Sequence, residues 1–143
     1  MGHIKIKTLF DGKVKIETLS SIVSPVGQVM EGPKRLFLEK GELAEIYDGE
    51  EPIRHIAYIE FINGKARGGH YHTRPEFFYI IKGEIALKVV DVATGETAKI
   101  KVKAGDLISL QPKIAHVLKS IGPGQAIEFS NKRFNPKNTV AYG

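Results

Sequence analysis

The sequence predicts an all-β chain folded as an antiparallel sandwich or barrel, and three observations carry that prediction. Apolar residues recur with a period of two in segment after segment, as in Ile4-Lys5-Ile6-Lys7, Val14-Lys15-Ile16 and Ile100-Lys101-Val102-Lys103. Pairs that favour turns, such as Asn63-Gly64 and Ala104-Gly105, separate these segments. No stretch repeats its apolar residues at a helical period for the length a helix needs. With 143 residues, at ~100–200 residues per domain, the expectation is a single domain over 1–143.

Ile4–Leu9 and Val14–Leu19 flank Phe10-Asp11-Gly12-Lys13, where Asp-Gly predicts a two-residue hairpin turn because both positions tolerate positive φ. Ser20–Lys34, with Pro25, Gly27, Gly32 and Pro33, reads as a loop or arm. Further strands are expected at Arg35–Leu38, Leu43–Tyr47, Ile53–Phe61, Phe77–Ile81, Ile85–Val92, Thr97–Val102, Asp106–Leu110, Val117–Ser120 and Ala126–Ser130. Turns are expected between them, including Lys82-Gly83 and Gly122-Pro123-Gly124. The barrel core then falls at about 53–130, with N-terminal strands and arm over 1–52. Residues 131–143 form a tail that packs over the barrel or crosses to a partner.

Composition narrows the function classes. The chain has no cysteine, which excludes a disulfide framework, Cys-ligated zinc, an iron–sulfur cluster and a thiol nucleophile. Hydrophobic residues make up 42% and charged residues 26%, the balance of a globular protein. No apolar stretch approaches the ~20 residues a bilayer needs, and the first residues lack the apolar run of a secretion signal. The expectation is a cytoplasmic protein that does not engage membranes. The net charge of +5 is carried largely by lysines on alternating strands, where they face solvent and discourage edge-to-edge pairing. No basic helical stripe or aromatic RNA-binding motif accompanies them, so no nucleic-acid partner is expected.

The chemistry concentrates in Gly64-Lys65-Ala66-Arg67-Gly68-Gly69-His70-Tyr71-His72-Thr73-Arg74-Pro75-Glu76. Histidines two apart on an extended segment project to one side, roughly 7 Å apart, and converge on one ion. Glu76 keeps their parity, and His116 is available from another strand, whereas His3 and His55 have no obvious partners. Three imidazoles and a carboxylate leave an octahedral divalent cation two open positions, the arrangement of a reactive site. A barrel interior filled by hydrogen-bonded histidines is the alternative. Phe77-Phe78-Tyr79 reads as core and rim packing, with Tyr79 its one candidate for the site.

These residues resemble a cupin. The family's first motif is a glycine, five residues, His-x-His, three or four residues, a glutamate, six residues and a glycine; Gly64, His70, His72, Glu76 and Gly83 match every position. In the second motif Gly105 and His116 keep their spacing, but Pro112 sits one place late, Lys113 replaces the glycine and Ser120 the asparagine. The resemblance implies a double-stranded β-helix, or jelly roll, with N-terminal strand additions. It implies one divalent ion (Fe, Mn, Ni, Zn or Cu) on His70, His72, Glu76 and His116, and a homodimer.

Two weaker resemblances point to sugar chemistry. Arg67-Gly68-Gly69-His70 is similar to the Arg-Gly-x-His segment of cupins that epimerise or isomerise nucleotide-linked keto-sugars. Asn131-Lys132-Arg133-Phe134-Asn135-Pro136 is similar to the tail of capsular-polysaccharide cupins. They imply an isomerase or epimerase whose metal polarises a keto group, with Arg67 binding the substrate diphosphate or else simply exposed on a loop. Tyr58 and Glu60 are candidate acid and base if their strand turns that face inward; Ala57, Ile59 and Phe61 compete for it. The alternatives are a non-haem iron or manganese dioxygenase, a dicarbonyl-cleaving enzyme, or a non-catalytic ligand-binding cupin.

Overall fold

The computed structural model describes residues 5–23 and 31–143. His3, the start of the first strand at Ile4, and residues 24–30 of the expected arm lie outside them. The described strands are β1 (Lys5–Leu9), β2 (Val14–Thr18), β3 (Ser21–Val23), β4 (Lys34–Leu38), β5 (Gly41–Glu45), β6 (His55–Phe61), β7 (Ala66–His72), β8 (Glu76–Asp91), β9 (Thr97–Lys103), β10 (Asp106–Leu110), β11 (Ile114–Ser130) and β12 (Thr139–Ala141). A 3-10 turn over Pro136–Asn138 precedes β12. No helix among the described residues is long and apolar enough to cross a membrane.

The barrel is made by two long strands that each serve both of its faces. The first half of β8 pairs with β10 and the second half of β11, and the order β1-β2-β10-β8-β11-β6 makes one sheet. The second half of β8 pairs with β9 and the first half of β11, and β9-β8-β11-β7-β12 makes the other. Between the halves, register shifts at Ile121/Gln125 and Gln125/Ala126 bend the pair. Lys82-Gly83 and Gly122-Pro123-Gly124 are therefore bulges inside continuous strands, not the turns expected of them. Gly83 has φ 98°, and a Cβ there would lie 2.7 Å from the Pro123 carbonyl oxygen, so the corner closes only with glycine.

Strand parity follows the sequence wherever both sides of a strand are defined by the barrel. Val14, Ile16, Ile59, Phe61, Phe78, Ile80, Ile85, Leu87, Val89, Val102, Ile108 and Leu118 fill the interior. Each fully buried aliphatic or aromatic side chain of this kind stabilises the fold by about 1.5–3 kcal/mol relative to exposure. The outer face of the first sheet carries a second cluster of Leu19, Tyr79, Leu107 and Phe129, packed against Ala44, Ile46 and Ile53. The small sheet β3-β4-β5 thus supplies a cover for the barrel.

Three local expectations are corrected, and one departure from the motif is explained. Ser21–Val23, read as part of a loop, is a strand running parallel to β4, a partner the local Pro and Gly content cannot reveal. The first hairpin has Leu9 opposite Val14, so its loop is four residues with Phe10, Asp11 and Gly12 all at positive φ. Ile6 is 58% exposed, because β1 is an edge strand that, among the described residues, pairs only with β2. Lys113, standing where the motif has glycine, adopts φ 66°; its N–H donates to the His72 carbonyl at 2.8 Å, and the turn survives the substitution.

Candidate functional site

The two candidate histidines of β7 reach the barrel interior because β7 is a strand despite its Gly68-Gly69 pair. His116 lies opposite His70 in the β7–β11 pairing, and the register then shifts between His116 and Val117. Gly68 has φ 107°, and a Cβ on it would overlap the His116 carbonyl. The kink brings the strands together, with His70, His72 and His116 presenting ring nitrogens that all lie within 4.8 Å of one another. Ring centroids are 4.6 Å apart for His70 and His72, and 5.0 Å for His70 and His116. Glu76, opening β8, completes the cluster: its Oε2 lies 3.1 Å from His72 Nε2 and 3.6 Å from His116 Nε2.

The outer nitrogens of two rings are engaged. His116 Nδ1 lies 3.2 Å from the Ile114 carbonyl oxygen, and His72 Nδ1 lies 3.0 Å from the Thr139 hydroxyl. Their Nε2 atoms are left facing the cluster. Burial pushes the imidazoles of His72 and His116 down to about 4, and the neighbouring histidines push the same way. His70 is lowered by burial as well. All three are neutral near pH 7, the form that ligates metal.

Glu76 is pushed up to about 9 by burial and then by the Glu128 carboxylate beside it, with Arg74 opposing. Against the cost of its own burial, the Glu76 carboxyl and the charges of His55 and Arg74 hold Glu128 below its ordinary value. The Arg74 guanidinium is buried, with one terminal nitrogen 3.8 Å from both carboxylates. Among the described residues, the buried Glu76 Oε1 has no hydrogen-bond partner. Neutral imidazoles around a carboxylate whose burial strongly favours a counter-charge are a donor set that suits a divalent cation.

A cavity of about 320 Å³ lies beside the cluster, lined by Ile59, Phe61, Arg67, Phe78, Leu118 and Glu128 together with His70 and His116. Arg67 stands exposed at its mouth, 3.5 Å from the Glu60 carbonyl oxygen. Tyr58 is 60% exposed and Glu60 is also exposed; both lie on the outer face of β6, since Ile59 and Phe61 take the interior. Tyr79 points the other way across its sheet, into the cluster under the N-terminal cover, and its neighbour Phe78 faces the cavity. His55 packs against the Phe134 ring at 5.9 Å, away from the cluster.

Sequence reasoning missed Glu128 and Arg74. Glu128 shares the parity of buried Ala126 and Ser130, so a charge inside the otherwise apolar Ala126-Ile127-Glu128-Phe129 was the available signal. Arg74 has none: only the fold shows that it turns inward between His72 and Glu76.

Solved structures share this fold. The dTDP-6-deoxy-D-glucose-3,5-epimerase of Legionella pneumophila, in complex with dTDP-4-keto-L-rhamnose, superposes with a TM-score of 0.74 at 14% identity over 97% of this chain and 77% of that one. The dTDP-4-dehydrorhamnose 3,5-epimerase of Sulfolobus tokodaii gives 0.75 at 15% identity over 96% and 81%. Among curated proteins, 3-hydroxyanthranilate 3,4-dioxygenase of Brucella anthropi is 35% identical over 60 residues, 41% of this chain and 33% of that protein. The same enzyme of Xanthomonas campestris pv. campestris is 40% identical over 47 residues, 33% of this chain and 26% of that protein. This chain thus spans no more than a third of the length of the curated relatives it matches. A family model for the cupin domain matches residues 57–129, just over half the chain. That stretch runs from β6 to Phe129 and contains every strand lining the cavity: the chain belongs to the cupin family.

Proposed function

We propose that the cavity is the active site of a metal-dependent enzyme, with one divalent ion on His70, His72, His116 and Glu76. The observation that supports the reading is the convergence of three neutral imidazoles and the buried Glu76 carboxyl group, with His70 and His116 forming one wall of a cavity whose other walls are Ile59, Phe61, Phe78 and Leu118 together with the charged Arg67 and Glu128. The volume of about 320 Å³ lies at the small end of ligand sites, ~300–1,000 Å³, and favours a one-ring or similarly small substrate. When bound, the ion acts as a Lewis acid toward substrate oxygens and offers positions for a second ligand.

The protein's own groups divide the remaining work. Ile59, Phe61, Phe78 and Leu118 pack against the apolar part of the substrate and exclude water. Arg67 at the mouth receives an anionic substituent. Glu128, ionised inside the cavity, accepts a hydrogen bond from a substrate hydroxyl or amine and is placed to take its proton. Of the two expected reaction classes, this arrangement favours oxygenation or cleavage of a small oxygenated ring or dicarbonyl, as the dioxygenase relatives also support. Keto-sugar epimerisation is the second reading. The likeness to sugar epimerases along nearly the whole chain supports it, but Tyr58 and Glu60, its expected acid and base, lie outside the cavity. The proposed setting is the cytoplasm, and the proposed assembly is a homodimer, which a monomer mass by light scattering refutes.

The test starts with protein prepared without a histidine tag, reconstituted with Fe, Mn, Ni, Zn or Cu and analysed for bound metal. One ion per chain, lost in His72→Ala and Glu76→Ala, is expected; wild type without an ion overturns the reading. Oxygen consumption with an aminophenol acid or a 1,3-diketone then supports oxygenation. Anaerobic exchange of solvent deuterium into a nucleotide keto-sugar, with no oxygen uptake, overturns it in favour of the epimerase.

A further inference from the structure

The last residues of the chain are built onto the strand that carries two of the clustered histidines. Asn135 caps the 3-10 turn, its side chain accepting from the Lys137 N–H at 3.0 Å, with Pro136 at the start of the turn. Proline fixes φ where the turn needs it, and the chain reverses. The Thr73 N–H donates to the Asn138 carbonyl at 3.0 Å. β12 then runs antiparallel beside β7 with Thr139 opposite His72, Val140 opposite Tyr71 and Ala141 opposite His70, and the Tyr142 N–H donates to the Gly69 carbonyl at 2.9 Å.

Directly opposed residues put their side chains on one face of the sheet. The Thr139 hydroxyl is thereby delivered to His72 Nδ1, at 3.0 Å. A neutral imidazole carries one proton, and the nitrogen that lacks it holds the lone pair. At His116 the backbone settles the matter, because the Ile114 carbonyl only accepts and so draws the proton to Nδ1. At His72 the partner is a hydroxyl, which accepts or donates, and the choice decides whether the Nε2 that faces Glu76 carries the lone pair or the proton.

We propose that Thr139 is the positioning residue of His72: its hydroxyl accepts from Nδ1–H and so holds the ring with the Nε2 lone pair facing Glu76, His70 and His116. The role falls to a β-branched residue whose χ1 is stiff in a strand, so the hydroxyl is preset when β12 docks. The C-terminal strand then does for His72 what the local backbone does for His116. This deepens the metal reading, on which its affinity arm rests, while the tautomer arm stands without a metal.

The experiment compares wild type, Thr139→Val and Thr139→Ser. In metal-free protein labelled with 15N-histidine, long-range 15N–1H correlation spectra read the His72 tautomer. Nδ1–H is expected in wild type and Thr139→Ser, and a shift toward Nε2–H in Thr139→Val. Competition with a chromophoric chelator reads divalent-ion affinity. Losing an outer hydrogen bond to a metal ligand typically weakens binding ~10–100-fold, so that loss is expected in Thr139→Val and less than about threefold in Thr139→Ser. Thermal midpoints of the metal-free proteins are expected to agree.

Nε2–H in wild-type His72, an unchanged tautomer in Thr139→Val, or equal losses in both variants overturns the proposal. A wild type that binds no ion, yet whose His72 tautomer responds to Thr139→Val, defeats the metal reading and leaves the positioning role standing.

Discussion

His116 and His72 meet at one cluster, yet they belong to regions held together in different ways. His116 sits mid-barrel on β11, flanked by β7 and β8, with its Nδ1 engaged by the carbonyl of Ile114 two residues away. His72 ends β7 next to the C-terminal β12, and its Nδ1 partner is Thr139, 67 residues along the chain. Burial pushes both rings down to about 4, so their chemistry is matched while their supports are not. The difference teaches that a ligand set uniform in residue type can combine orientations fixed by local backbone with orientations fixed only when the sheet is closed.

Each of the two supports can be removed separately. The largest effect is expected for His116→Ala, which removes a ligand from the locally supported side and lowers divalent-ion affinity by more than ~100-fold, beyond the usual cost of losing an outer partner; chelator competition measures it. Gly68→Ala comes next. Its Cβ meets the His116 carbonyl at the β7–β11 bulge, so chemical denaturation should show about 2–4 kcal/mol of lost stability; an unchanged midpoint shows that the bulge does not depend on glycine. Ending the chain at Asn138 strikes the other side alone. Ion affinity should fall ~10–100-fold and β7 amides should exchange faster with solvent, while the His116 tautomer stays as it was.

A smaller effect is expected from pH in the metal-free protein, and its sign follows from the directions above. The imidazoles of His72 and His116 sit at about 4 in the fold against an ordinary 6.5, so their contribution is full above 6.5 and is lost as pH falls toward 4. Glu76 sits at about 9 against 4.5, so its contribution is full below 4.5 and is lost as pH rises toward 9. Two imidazoles outweigh one carboxyl between 4.5 and 6.5, which places the maximum thermal midpoint near 6.5. Glu76→Gln should flatten the alkaline decline, and a wild-type midpoint still climbing at pH 9 contradicts the assignment. The smallest structural effect belongs to Arg67→Ala: exposed at the mouth, it should change stability by less than about 0.5 kcal/mol and register as a raised KM for an anionic substrate.

Much of this was legible before the fold. Spacing put His70, His72 and Glu76 on one side of an extended segment, because strand parity is local; His116 joined them only as the available histidine of another strand and through the likeness to the cupin motifs. The same local logic left β6 undecided between the face of Tyr58 and Glu60 and that of Ala57, Ile59 and Phe61, since both carry apolar residues; packing in the interior turned Ile59 and Phe61 inward. It failed at β8 and β11, where glycines that carry one strand around a barrel corner have the composition of turns. It failed also for Tyr79 and Phe78, whose roles reverse because β3-β4-β5 covers the outer face of the sheet and buries Tyr79 there.

Residue type and short intervals, which act over one strand or one turn, account for the strand class, the parity of most strand faces, the absence of thiol chemistry and the shared side of His70, His72 and Glu76. Long-range pairing brings His116 to the histidines of β7, takes Glu128 and Arg74 into the site, pairs Ser21–Val23 with β4 and stands Thr139 against His72. Each of these depends on which distant segments become neighbours, and that is set by burial of the whole barrel and closure of its sheets, not by any window of sequence.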